Sequence, residues 1–164
     1  MNAIDLLKSQ HRTVEKLFSK IAGAKGASKK QELFNQLADS LAGHAAIEEH
    51  QFYPAVKAKR TEDILLESLQ EHLGVKRVIA DLLKAAPDDE TFDAQIKVLK
   101  EQVEHHVEEE ENDLFPKVMK LFDKEYLEAL GQEMSAEFET LQLSEPRKSV
   151  PSETKQAAPL TPSR

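Results

Sequence analysis

The chain has 164 residues, enough for one domain with a real core and too few for a multidomain enzyme. Thirty acidic against 22 basic residues give a net charge of −8, the reverse of the basic surface that phosphate-backbone binding needs, so no nucleic-acid partner is expected. There is no cysteine, which excludes disulfides, thiolate catalysis and iron–sulfur clusters, and any metal must be held by histidine and carboxylate.

The opening MNAIDLLKSQHR mixes acid and base without an apolar run, and no later stretch nears the ~20 apolar residues of a membrane span. The expectation is a cytoplasmic protein with no membrane partner. Apolar residues then recur at spacings of three and four throughout the body, and nothing alternates with period two, so the fold class is all-α.

Ile4, Leu7, Val14, Phe18 and Ile21 form the stripe of a first helix, with Asn2 as its N-cap. The Gly-bearing GAKGAS from Gly23 ends it, and Ser28 with Gln31 reads as a capping box for the second. The second helix, about 29–59, carries Phe34, Leu37 and Leu41 on its stripe. Thr61 caps a third of about 62–86, with Leu65, Leu69, Ile79 and Leu83. After Pro87-Asp88-Asp89 a fourth of about 90–121 shows Phe92, Ile96, Leu99 and Val103, and a shorter fifth follows Asp123 to about 142. Short connections make sequence neighbours antiparallel, which predicts an up-down-up-down four-helix bundle over residues 1–142. Residues 143–164 hold Pro146, Pro151, Pro159 and Pro162 among Ser and Thr with no apolar period, and the expectation there is a disordered tail.

Several residues in the stripes do not belong in an apolar core. The first stripe is centred on His11. The second contains His44 and Glu48 one turn apart, the third contains His72, and the fourth contains His106 and Glu110, again one turn apart. A buried carboxylate costs several kcal/mol unless paired or metal-bound, so two of them among four imidazoles require a shared counter-charge. At 1.5 Å per residue, the distances of the four histidines from their helix ends agree to within one or two turns, which puts all of them near mid-bundle. His50 and His105 fall outside the stripes and are expected on a solvated face. Lys76, one turn after His72, is expected to snorkel out of the seam. Pro54 and Pro116 are expected only to kink the ends of their helices.

The chain also repeats. The segments from His44 to Pro54 and from His106 to Pro116 share H-x-x-x-E-E-x-x-x-F/Y-P at an offset of 62, and His11 and His72 are offset by 61. Each helical hairpin therefore supplies one His and one HxxxE, and a pseudo-two-fold would bring two half-sites face to face as a symmetric dinuclear centre with glutamates between. Nitrogen and oxygen donors without sulfur suit Fe or Mn, and also Zn or Cu.

This pattern over about residues 3–140 resembles the bacterial hemerythrin-like domains, the HHE cation-binding family, whose bundle carries ligands inside. The resemblance implies a cofactor of two Fe ions per chain with an oxo or hydroxo bridge. His11, His44, His72 and His106 then look like terminal ligands, and Glu48 and Glu110 like bridging carboxylates. Oxygen-carrying hemerythrins have a further His where this chain has Lys76, which points away from an asymmetric five-histidine carrier and leaves each iron an exchangeable position. The implied function is a non-haem di-iron protein reacting with dioxygen or hydrogen peroxide, such as peroxide disproportionation in oxidative-stress defence. A sensor of oxygen, iron or redox state, or simple binding of oxygen or iron, are the alternatives.

Overall fold

A computed structural model describes residues 1–160. The helices are α1 (Ala3–Gly23), α2 (Ala27–Ile47), α3 (Tyr53–Ala55), α4 (Glu62–Lys84), α5 (Glu90–Glu109), α6 (Phe115–Leu121) and α7 (Lys124–Leu143). Two π-helical turns, Glu48–Phe52 and Glu110–Leu114, join α2 to α3 and α5 to α6, so that each pair is one continuous rod. A 3-10 helix, Pro146–Glu153, completes the order.

Capping explains most boundaries. The Asp5 N–H donates to Asn2 Oδ1 at 2.8 Å, and the Tyr126 N–H to Asp123 Oδ1 at 2.8 Å, as the sequence predicts. The capping box at Ser28 does not form: α2 starts two residues earlier than expected, after Gly26, whose φ of 88° needs glycine. Thr61 precedes α4, but its hydroxyl turns back to Val56 O at 2.8 Å and ties down the preceding loop instead of the helix.

Two apolar clusters fill the interior. One gathers Val14, Phe18, Leu37, Leu41, Ile79, Phe92 and Val103; the other gathers Ile4, Leu7, Ile47, Leu69, Leu114, Phe115 and Met134. At ~1.5–3 kcal/mol for each fully buried large side chain, these two ends supply the main drive for folding. Along α1 the chain passes from the second cluster to the first, along α2 back, along α4 again to the first, and along α5 and its π turn back to the second. That order is the up-down-up-down bundle. The four seam histidines fall between the clusters on every helix: His11 lies between Leu7 and Val14, His44 between Leu41 and Ile47, His72 between Leu69 and Ile79, and His106 between Val103 and Leu114. A polar layer thus divides the core at mid-height.

Helix α7 lies across α1 and α2, and the backbone at Met1–Ala3 comes so close to it that only glycine fits at 131. The C-terminal segment departs from the expected disorder. Within the described residues, Pro146–Glu153 folds back onto α2 and α4 with Val150 buried in the first apolar cluster. One buried valine, ion pairs and backbone hydrogen bonds order a segment whose composition alone reads as solvated. Residues 161–164 of the predicted tail lie outside the described residues. Among the described residues no helix is long and apolar enough to cross a membrane.

Candidate metal centre

All six residues singled out by their seam positions meet in the polar layer, and each is buried. Glu48 and Glu110 are fully buried, and each spans both hairpins with its two oxygens. Glu48 turns Oε2 to His44 Nε2 at 3.3 Å and Oε1 to His72 Nε2 at 2.9 Å. Glu110 turns Oε1 to His11 Nε2 at 3.2 Å and Oε2 to His106 Nε2 at 3.5 Å. Two half-sites result, as the repeat predicts: His11, His44, Glu48 and Glu110 in one, and His72 and His106 with Glu48 in the other.

The two halves satisfy their donors differently. In the first, His11 Nε2, His44 Nε2, Glu48 Oε2 and Glu110 Oε1 are buried without a hydrogen-bond partner, and these four atoms lie within 4.8 Å of one another. An unsatisfied buried polar atom costs ~1–3 kcal/mol, and four converging on one point are what a cation would satisfy together. In the second, Tyr53 fills the centre. Its hydroxyl donates to Glu110 Oε2 at 2.6 Å and lies 3.2 Å from Glu48 Oε1, 3.2 Å from His72 Nε2 and 3.4 Å from His106 Nε2. Burial, with Glu110 and Glu48 beside it, pushes the Tyr53 hydroxyl well above the usual phenol range and keeps it protonated.

Every imidazole is oriented from behind. The Nδ1 of His11 meets Glu111 at 2.6 Å, that of His44 meets Gln10 at 2.7 Å, that of His72 meets Glu49 at 2.8 Å and that of His106 meets Glu71 at 2.7 Å. With Nδ1–H held by an acceptor, the Nε2 lone pair is the one left to face inward, the arrangement by which a histidine ligand is fixed and made more basic. The pseudo-symmetry extends to this outer ring. Glu49 and Glu111 are the second Glu of each EE pair and reach the histidine of the opposite hairpin, while Gln10 and Glu71 directly precede His11 and His72. Two differences named by residue break it: Gln10 stands against Glu71, and Phe115 stands against Tyr53, stacking on His11 with ring centroids 6.0 Å apart where Tyr53 hydrogen-bonds.

The buried carboxylates and imidazoles stabilise one another's charged forms. Burial disfavours the charged form of His106, but Glu110, Glu48 and Glu71 outweigh it and hold the imidazole well above 6.5; His72 and His11 are raised in the same way. Burial likewise opposes ionisation of Glu48, and His44, His106 and His72 overcome it and hold the carboxyl well below 4.5. Four imidazoles and two carboxylates are a donor set that fits bound metal.

Two expectations are corrected. Lys76 does not snorkel out: it is 7% exposed, with Nζ 3.0 Å from Glu49 and 2.9 Å from Glu153. Pro54 and Pro116 do more than kink helix ends. Proline has no N–H for the carbonyl four residues upstream, and each follows a π turn that starts at a seam glutamate. On an α-helix the fifth residue after Glu48 would point about 140° away, so the stripe places Tyr53 outside the site. The wider π turn brings it onto the same face. The signal in the sequence was the aromatic-proline pair closing each repeat. His50 and His105 lie on the surface as expected, against Glu137 at 2.6 Å and Glu109 at 3.1 Å respectively. A hydrogen bond that its protonated form donates to the Glu71 carboxylate pushes the Glu109 carboxyl up to about 7.

Beside the imidazoles lies a cavity of about 40 Å³. The four histidines form part of its lining, and Val14, Leu41, Val75, Ile79, Val103 and Val150 supply most of the rest.

Comparison with known proteins agrees with this arrangement. Residues 2–118 match the hemerythrin HHE cation binding domain. A DNA nickase of Nostoc is 29% identical over 83% of this chain, which spans 39% of that protein's length. The Rv2633c protein of Mycobacterium tuberculosis is 31% identical over 86% of this chain and 88% of its own. In a crystal structure of a hemerythrin HHE cation binding domain-containing protein from Mycobacterium kansasii, a homolog of Rv2633c, the fold aligns with a TM-score of 0.80 at 25% identity over 94% of this chain and 95% of that one. The chain belongs to the hemerythrin HHE cation binding domain family.

Proposed function

We propose that the chain is a non-haem di-iron protein that reacts with small oxidants, and that its reaction is disproportionation of hydrogen peroxide to water and dioxygen. The observation that carries the metal reading is the set of four unpartnered buried donor atoms in the first half-site, mirrored by four donors around Tyr53 in the second. His11, His44, Glu48 and Glu110 would hold one ion, and His72, His106, Glu48 and Glu110 would hold the other once the Tyr53 hydroxyl moves aside from the place it takes among them. A pair of iron ions there supplies the two-electron capacity to reduce one peroxide and oxidise the next.

The chain's own residues supply the rest. Glu48 and Glu110 tie the half-sites together, because each carboxylate has one oxygen in either half. Tyr53 keeps a proton at its hydroxyl, 2.6 Å from Glu110, within reach of an oxygen that gains charge in the centre. Glu49, Glu71, Glu111 and Gln10 hold the imidazole orientation through a change of charge. The apolar cavity gives a neutral small molecule room beside the histidines.

The test is oxygen release from hydrogen peroxide by the iron-loaded full chain. One dioxygen per two peroxides consumed is expected, with loss of the activity in Glu48→Ala. A fully iron-loaded chain that releases no oxygen refutes the reaction and leaves an oxygen-binding or sensing role.

A further inference from the structure

The cavity beside the imidazoles is lined by α1, α2, α4 and α5, and Val150 of the 3-10 helix adds the one lining residue from outside these four helices. Val150 is 2% exposed. The segment that carries it is anchored on both sides. Ahead of it, Arg147 donates to Asp39 of α2 from its backbone N–H at 3.0 Å and its guanidinium at 2.8 Å. Behind it, Glu153 takes the Lys76 ammonium at 2.9 Å, and Arg77 donates to Thr154 O at 3.0 Å.

The turn into this segment is itself constrained. Glu145 has φ 54°, a left-handed conformation that strains a non-glycine residue, and its carboxylate is gripped by Arg147 at 3.0 Å and Lys148 at 2.8 Å. Such a conformation persists where surrounding contacts over-determine it. The segment lies outside the stretch that matches the family, which ends at residue 118. It also communicates with the centre, since Lys76 bridges Glu153 to Glu49, and Glu49 holds His72.

We propose that the Pro146–Glu153 helix is the outer wall of a ligand cavity and that Val150 sets the largest molecule admitted to the metal centre. One water needs ~10–15 Å³ of such space, so about 40 Å³ has room for about three heavy atoms, and the lining beyond the imidazoles is apolar apart from Lys76. The site therefore takes a neutral molecule of two or three heavy atoms and rejects its alkyl derivatives. This deepens the reading given under Proposed function and rests on it: the substrate class is hydrogen peroxide or a diatomic gas, and organic hydroperoxides are excluded by size.

The experiment compares the iron-loaded full chain with Val150→Ala and Glu153→Gln. Val150→Ala widens the cavity, and Glu153→Gln loosens the wall at its contact with Lys76 while leaving Val150 in place. The first readout is the ratio of tert-butyl hydroperoxide to hydrogen peroxide consumption, expected to rise about tenfold in Val150→Ala. The second is independent of turnover: the rate of nitric oxide binding to the reduced protein, followed by stopped-flow absorbance, rises about threefold or more in Glu153→Gln. An unchanged peroxide ratio in Val150→Ala together with an unchanged nitric oxide rate in Glu153→Gln overturns the proposal. A parent protein that consumes neither peroxide but shows the faster nitric oxide binding in Glu153→Gln sustains the wall and refutes the peroxide reaction.

Discussion

Glu49→Ala removes two interactions at once. The carboxylate takes His72 Nδ1–H at 2.8 Å and the Lys76 ammonium at 3.0 Å, and its side chain is 7% exposed. In the variant Lys76 keeps only Glu153, at 2.9 Å and 45% exposed. Removing one partner of a buried pair costs ~3–5 kcal/mol, and the remaining pair with Glu153 returns part of that, so a loss of about 2–3 kcal/mol is expected in the metal-free protein. At ~2–4 °C per kcal/mol for a domain of this size, the melting temperature falls by roughly 5–10 °C. His72 also loses the acceptor that fixes its ring, which lowers metal affinity about 10- to 100-fold. The comparison is Glu109→Ala, whose partner His105 is 64% exposed and whose loss costs at most ~1 kcal/mol. Melting curves of both metal-free variants, with metal retained after dialysis against a competing chelator, give the answer. Equal losses in the two refute the reasoning.

Gly131→Ala places a Cβ 2.5 Å from Met1 O and 2.7 Å from Ala3 N, backbone atoms that cannot swing aside, so stability falls by ~2–4 kcal/mol in a urea melt; a wild-type midpoint would contradict the close packing of α7 on the N-terminus. The pH dependence of the metal-free protein has a definite sign. His106, His72 and His11 are held above 6.5, so their contribution is complete below that value and is lost as pH rises through the folded values. Glu48 is held well below 4.5, so its contribution is complete above that value and is lost as pH falls through the folded value. The melting temperature is expected to be highest between about 4.5 and 6.5 and to fall on the alkaline side; a rise above 6.5 would contradict the assigned proton balance.

The bundle and the six seam residues were legible because both rest on the helical period, which survives wherever the helix is regular. The period of 3.6 fails at the π turns, so Tyr53 falls outside every stripe. Glu49 lies beside the seam and not in it, yet it is 8% exposed and holds His72. The helical period gives each residue one face, whereas a long side chain beside the seam reaches the neighbouring helix. The EE doublets carried that information in the repeat. The tail was misread for a different reason: composition averages over a segment, while Val150, Arg147 and Glu153 order it through single contacts with α2 and α4. Lys76 was misread with it, since its second partner lies in that segment.

The claim that the polar layer is a dinuclear metal centre is tested most directly by counting metal. Full-length chain reconstituted with ferrous iron without oxygen, freed of loose metal and analysed for elemental content, is expected to hold about two irons per chain, and Glu48→Ala and Glu110→Ala to hold clearly fewer. One iron or none in the unaltered chain, or undiminished iron in both variants, would contradict it.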